Sequence, residues 1–419
     1  MGIYLNPESE RFQKSLHSEI YIDKSELIHK TNEVLNTEQR YICVSRPRRF
    51  GKSMALNMLS AYYGCGEDTD MLFRNLKINT ALTYKNNLNK YDVIAVNMQE
   101  FLSGTGSIND MLEKLKKYII FDLMEIYPDV KYMDTSDFVR TMRDVYRKTK
   151  RPFVLLIDEW DCLFRECSSD TEGQKKYLDF LRNWMKDKEY IALAYMTGIL
   201  PIKKYGSHSA LNMFGEYSMS DPGDLAMYFG FTEEEVKWLC EKYSMNFEET
   251  KAWYDGYYFT LQCADNGESI SIYSPKSVVE AMMRRSFRPY WNQTESYEAL
   301  KVYIRMNFDG LKDAVIMMLA GGSVRINTGT FANDMTTFCG KDDVLTLLIH
   351  LGYLSYNYST GTVTIPNKEV SQEYINAIRS IGWMEVIRSV EESQNLLQSL
   401  WKMDAQAVVK LNVRRGGLL

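Results

Sequence analysis

A chain that sets Phe50-Gly51-Lys52-Ser53 between the apolar run Tyr41-Ile42-Cys43-Val44 and the helical pattern Met54-Ala55-Leu56-Asn57-Met58-Leu59 has few folds open to it. The apolar run reads as a buried strand, the next residues as a tight turn, and the remainder as a helix. The helix's first backbone N–H groups and positive dipole end then face one spot, where a polyphosphate can sit. The spacing predicts that Arg46, Pro47, Arg48, Arg49, Phe50, Gly51, Lys52, Ser53 and Met54 form a phosphate-binding loop. Gly51 lets the backbone approach, Lys52 supplies a mobile ammonium for the terminal phosphate oxygens, and Ser53 offers a hydroxyl to Mg²⁺. Arg46 stands where the pattern GxxxxGK[ST] has its first glycine. The same residues would also make an ordinary basic strand-to-helix turn, so a second motif has to decide.

That motif is Phe153-Val154-Leu155-Leu156-Ile157-Asp158-Glu159, a buried strand ending in two carboxylates. In open α/β sheets ligands collect at the carboxyl ends of strands, which brings Asp158 beside Lys52 and Ser53. Asp158 is expected to hold the Mg²⁺ shell, and Glu159 to orient and deprotonate an attacking water. The competing reading is that both acids cap the following helix. Two motifs in the right order, each on the right element, favour the site.

Between them lies a further apolar strand, Asp92-Val93-Ile94-Ala95-Val96-Asn97, and a helix with Ile108, Met111, Leu112, Leu115, Ile119 and Leu123 on one face. A fourth strand, Ile191 to Met196, ends in Thr197-Gly198. Thr197 fits either a turn-forming hydroxyl or a sensor of the γ-phosphate. The fold class expected is α/β: a nucleotide-binding core with a parallel sheet and an additional strand between the two motifs.

With 419 residues, two or three domains are expected. A net charge of −5 gives the whole chain no field that attracts nucleic acid. Seven scattered cysteines without a C-x-x-C pair suggest a reducing compartment, and four widely spaced histidines offer little to zinc. No run approaches the length of a membrane span, and no signal peptide is evident, so the cytoplasm is the expected location.

Beyond about residue 200 the pattern turns mainly helical. Thr232-Glu233-Glu234-Glu235 reads as a capping box, and Trp253 to Phe259 as an aromatic core cluster around a turn glycine. Val344, Leu347, Leu348 and Leu351 make a helix closed by Gly352; Tyr353–Tyr358 and Thr362–Ile365 flank a turn, and Pro366 begins another helix. Helices followed by a β-ribbon suggest a winged-helix-like module. Its hairpin has no Lys or Arg, which favours a structural or partner role over DNA. The expected division is 1–222 for the core, 223–305 for a helical lid, 306–390 for the winged-helix-like module and 391–419 for a tail.

Together Tyr21-Ile22-Asp23-Lys24-Ser25, Arg46 to Ser53, Leu156-Ile157-Asp158-Glu159-Trp160-Asp161, Thr197 to Ile202 and Trp253-Tyr254-Asp255-Gly256-Tyr257 resemble the bacterial AAA-ATPase-like family. The resemblance implies a P-loop ATPase using ATP and Mg²⁺, with Lys52 and Glu159 catalytic, Ser53 and Asp158 on the metal, and the loop with Thr197 on the nucleotide. It also implies arginine at the first glycine position, where Arg46 or Arg49 would replace backbone contacts or act on the γ-phosphate. Asp23 and Lys24 are assigned to the wall of the adenine pocket. Longer members resemble fusions to a C-terminal PD-(D/E)XK nuclease. Glu235-Val236-Lys237 lies in the wrong context for one, and the end Val408 to Leu419 does not resemble a domain terminus, so a truncation or frame change is expected. Three functions follow: an ATPase driving a conformational switch, a nucleotide-gated interaction module with negligible turnover, and a DNA-engaging defence or mobile-element effector. The oligomeric state is not legible.

Overall fold

In the computed structural model, residues 1–202, 211–260, 269–291, 297–306 and 308–383 are described. The segment read as a tail, 391–419, lies outside them. The core sheet has five parallel strands: β1 (Tyr41–Ser45), β2 (Asp92–Asn97), β3 (Phe153–Asp158), β4 (Ile191–Gly198) and β5 (Gly215–Tyr217). Their order is β2-β3-β4-β1-β5. Strands β1, β3 and β4 are buried along their whole length, as a parallel sheet covered on both faces requires.

Period-two alternation sorts their side chains onto the two faces. Tyr41, Cys43, Leu155, Ile157, Ala194 and Met196 face one core. That core includes residues of the helices Ile108–Ile126, Phe138–Thr149 and Thr171–Met185. Ile42, Val44, Val154, Leu156, Leu193 and Tyr195 face the other, packed with the helix Lys52–Tyr63 and the N-terminal helices Glu10–Leu16 and Leu27–Val34. The chain is therefore an α/β protein with a P-loop core. Strand β4 lies between β1 and β3, which seats Thr197 between the loop and Asp158.

The later half is less purely helical than its pattern predicts. Strands β6 (Phe231–Thr232), β7 (Tyr257–Thr260) and β8 (Ser269–Tyr273) form an antiparallel sheet in the order β6-β8-β7. The capping box is present, with Thr232 and Glu235 bonded reciprocally at the start of the helix Glu233–Tyr243. Further on, β9 (Val324–Arg325) joins the hairpin β10 (Ser355–Asn357) and β11 (Thr362–Thr364) as a third antiparallel strand. The strands the sequence reading missed are two to five residues long and pair across long separations, so no local periodicity marks them. Among the described residues no helix is long and apolar enough to cross a membrane.

Candidate active site

The helix Lys52–Tyr63 starts at Gly51, whose φ of 91° is the left-handed conformation that favours glycine. A Cβ on Gly51 would meet nothing within 4 Å, so the glycine serves the backbone turn, and the space beside it is open. The first turn reads Lys52-Ser53-Met54, without an acid, so the positive end of the helix keeps its attraction for an anion. Lys52 is almost fully buried, and its Nζ donates to the carbonyls of Arg46 (3.0 Å) and Pro47 (2.9 Å). Burial lowers its pKa from the ordinary lysine value, while Glu159, Asp158 and Asp161 pull it back up.

The acids converge as the spacing predicts. Ser53 Oγ donates to Asp158 Oδ2 and Thr197 Oγ1 to Asp158 Oδ1, each at 2.5 Å. Glu159 lies one residue beyond the strand in a left-handed conformation, φ 51°. Its N–H bonds Asp158 Oδ1 at 3.0 Å, and the next N–H, of Trp160, bonds Thr197 O at 3.0 Å. Burial raises the Glu159 pKa above the ordinary glutamate value, against the pull of Lys52 and Arg165. The helix-cap alternative for these acids finds no support in the geometry: Asp161, not Asp158 or Glu159, precedes the helix Cys162–Glu166.

A cavity of about 970 Å³ opens from this cluster. Arg48, Arg49, Phe50, Gly51, Lys52, Ser53, Met54 and Glu159 line one end. The N-terminal segment contributes Phe12, Ile20, Tyr21, Ile22 and Lys24, and the later half of the chain Phe231, Lys276, Val279 and Met283. Lys24 spans the two, donating to Met227 O and to Glu235 Oε2, both at 2.7 Å. Asp23, by contrast, is spent on the backbone N–H groups of Ser25 and Lys77. An end lined by Gly51, Lys52 and Ser53 next to a largely apolar one suits a nucleoside polyphosphate.

Arg46 corrects the sequence reading. It does not face the phosphate end and, like Pro47, does not line the cavity. Its side chain is fully buried, with Nη1 donating to Ser45 O and Tyr217 O, both at 2.8 Å. The guanidinium lies over the rings of Phe229 (5.5 Å) and Phe259 (5.4 Å). Burial pulls its pKa down to about 9, which leaves it charged at neutral pH. Carbonyl oxygens and aromatic faces compensate the charge, and Asp221 adds an electrostatic pull. Arg48 and Arg49 remain as loop arginines at the cavity, Arg49 exposed with φ 68°.

Two further residues belong to the cluster and carry no role in the sequence reading. Asp161 is fully buried, and its Oδ2 accepts from the backbone N–H groups of Ile199 (3.1 Å) and Leu200 (2.8 Å). Arg165 pairs with Glu159 through Nη2, and its Nε lies 3.2 Å from Asp161 Oδ2. The i, i+4 spacing of Asp161 and Arg165 at a helix start is the signal that would have flagged them.

Residues 10–207 match the AAA-ATPase-like family, described as Predicted AAA-ATPase. The resemblance drawn from the motifs therefore holds across the P-loop half of the chain. A curated relative, "Uncharacterized protein in vnfD 5'region" of Azotobacter chroococcum mcd 1, is 25% identical over 261 residues, covering 60% of this chain. The match spans 46% of that relative's length. Solved structures similar to this chain include Cdc6p of Pyrobaculum aerophilum, with a TM-score of 0.32, 8% identity and coverage of 90% of this chain and 99% of that one. Another is the ORC2 protein of Aeropyrum pernix, at 0.36, 10%, 88% and 98%. These likenesses are distant, and the fold rests on strand order and direction.

Proposed function

We propose that the chain is a Mg²⁺-dependent ATPase that uses the bound nucleotide to set the position of its later segments. One observation supports this reading most: Lys52, Ser53 and Glu159 line one end of the cavity, and Asp158 and Thr197, which do not line it, join them there through the bonds of Ser53 and Thr197 to Asp158. The oxygen donors there, Ser53 Oγ and Asp158, suit Mg²⁺, which usually takes one or two protein ligands and completes its shell with water and phosphate. Among the described residues there is no group of three or more His, Cys, Asp or Glu that could hold a metal by itself, so an ion shared with the substrate fits better than a resident one. When bound, Mg²⁺ would neutralise charge on the β and γ phosphates.

In this reading the Lys52 ammonium exchanges the Arg46 and Pro47 carbonyls for phosphate oxygens. Thr197 fixes Asp158 and reads the γ-phosphate. Glu159 takes a proton from water as the water oxygen bonds the γ-phosphorus. The bond from that phosphorus to the β–γ bridging oxygen breaks with its electrons, leaving ADP and phosphate. Arg48, Arg49 and Met54 border the phosphates. The segments read as a lid, 223–305, supply Phe231, Lys276, Val279 and Met283 to the far wall, where a nucleotide would draw them in.

The order helix Leu311–Leu319, β9, helix Lys341–His350 and the β10–β11 hairpin supports a winged-helix-like module. We assign it to a protein partner, because its hairpin bears no cation to neutralise DNA phosphate. Asp158 and Thr197 bond each other and do not line the cavity, which favours a second reading, in which ATP is bound with negligible turnover. Steady-state ATP turnover by the full chain, with and without Mg²⁺ and with Glu159→Gln, tests both. Turnover that needs Mg²⁺ and is lost in Glu159→Gln supports the ATPase; tight ATP binding with no turnover in either protein supports the module.

A further inference from the structure

Glu159 is held by its backbone and by one side chain. The left-handed turn, the bond to Asp158 and the anchoring of Trp160 to Thr197 fix where its Cα sits. They do not fix a side chain with three rotatable bonds, which keeps its rotamer freedom unless another group holds it. The carboxylate is oriented by Arg165, whose side chain is only 7% exposed. The same guanidinium reaches Asp161, the carboxylate that clamps the backbone of Ile199 and Leu200 just past Thr197. Arg165 thus bridges the acid next to the cavity and the turn that follows the candidate γ-phosphate sensor.

We propose that Arg165 is the positioning residue for Glu159, holding its Oε2 so that Oε1 accepts the proton from the attacking water. This rests on the reading of Glu159 as the base. Among the described residues, Lys52 from the loop helix, Asp158 from the end of β3, and Asp161 and Arg165 from the segment after it act electrostatically on Glu159. Of these, Arg165 is the one paired with the carboxylate itself. Without it, the carboxylate loses the described side chain that holds Oε2, and its orientation suffers. Arg165 need not touch substrate to act; it acts through Glu159.

The test is the split between kcat and KM of ATP turnover by the full chain for the parent, Arg165→Met, Arg165→Lys and Glu159→Gln. Arg165→Met should lower kcat about tenfold or more, part of the contribution of a general base, with KM within about twofold. Arg165→Lys should recover most of the lost kcat, because it returns a cation to the Glu159 carboxylate.

If Arg165→Met does not fold, Asp161→Asn combined with Arg165→Met removes the stranded carboxylate while an amide oxygen still accepts from Ile199 and Leu200. The same loss of kcat with KM nearly kept is then expected in the double variant. A parental kcat in whichever variant folds, or no rescue by Arg165→Lys, overturns the assignment of Arg165. Unchanged turnover in Glu159→Gln instead overturns the reading of Glu159, and the assignment of Arg165 with it.

Discussion

Replacing Arg46 by glycine would restore the usual loop pattern, yet the structure predicts that it damages the fold. The guanidinium gives two hydrogen bonds to carbonyls and lies over two rings. Hydrogen bonds from a charged donor contribute about 1.5–3 kcal/mol each. A desolvated cation–π contact adds about 2. Against these stands the cost of burying the charge, several kcal/mol per ion, which the substitution relieves. Glycine also leaves a void where a long side chain was, typically worth about 2–5 kcal/mol for a large truncation, and loosens the unfolded chain by up to about 1 kcal/mol. The net expectation for Arg46→Gly is a loss of about 3 kcal/mol, or roughly 6–12 °C in the melting temperature of a domain of this size. Arg46→Met keeps most of the volume and drops the charge, so it should cost no more than about 1–2 kcal/mol. Thermal and urea denaturation of the nucleotide-free proteins measures both. An Arg46→Gly protein that melts within about 1 °C of the parent while its ATP affinity changes several-fold would refute the buried placement.

Lys52→Ala and Ser53→Ala should each weaken Mg-ATP binding about 10- to 100-fold, the value of one charge-assisted hydrogen bond, as read by calorimetry; unchanged affinity in both would misplace the site. Asp158→Ala should lower metal-dependent affinity, whereas Glu159→Gln should keep binding and lose about 10²-fold or more in rate, so equal small effects on rate would return both acids to a structural role. Because burial raises the Glu159 pKa and a base works deprotonated, kcat should fall as pH drops through a value above that of an ordinary glutamate; a limb at or below the ordinary value would remove Glu159 from that role. Glu369 is fully buried, accepts from the N–H groups of Tyr290 and Trp291, and burial pushes its pKa up to about 7. The folded state then holds a proton the unfolded chain releases, so stability is full below about pH 4.5 and declines until pH passes about 7, by up to about 3 kcal/mol. Glu369→Gln should therefore raise the melting temperature more at pH 8 than at pH 5; equal shifts at both would contradict this.

What the sequence made legible was local. The loop, the Asp158-Glu159 pair and Thr197 are contiguous motifs on single elements, and parallel-sheet geometry gathers strand ends whatever the rest of the chain does. Arg46 could not be oriented in this way. Its surroundings come from Tyr217, Phe229 and Phe259, more than 150 positions away, and a cation in a phosphate loop points to phosphate until those rings are placed. Asp161 stood inside a quoted motif, but its two backbone partners lie beyond the end of another strand. The short antiparallel strands escaped because runs of two to five residues are too short to show a clear period.

The placement of Arg46 also explains why the loop departs from the glycine-rich pattern. One face of the loop presents Gly51, Lys52 and Ser53 to the cavity. The other face is built into the later half of the chain. Phe50 meets Tyr257 edge-on at 5.4 Å and Trp291 at 6.4 Å, and its carbonyl accepts from Gly230 N at 3.2 Å. Gly352, at φ 84°, lies so close to Pro47 that a Cβ there would come within 2.9 Å of the ring, and its carbonyl accepts from Tyr257 Oη at 2.6 Å. A glycine at position 46 would serve the first face and leave the second without its cation between Phe229 and Phe259. Close-packed side chains shift together or not at all. Packing of this kind ties the loop to Phe229, Tyr257, Trp291 and Gly352, through Arg46, which stands at the first glycine position, and through Phe50, which the pattern leaves free.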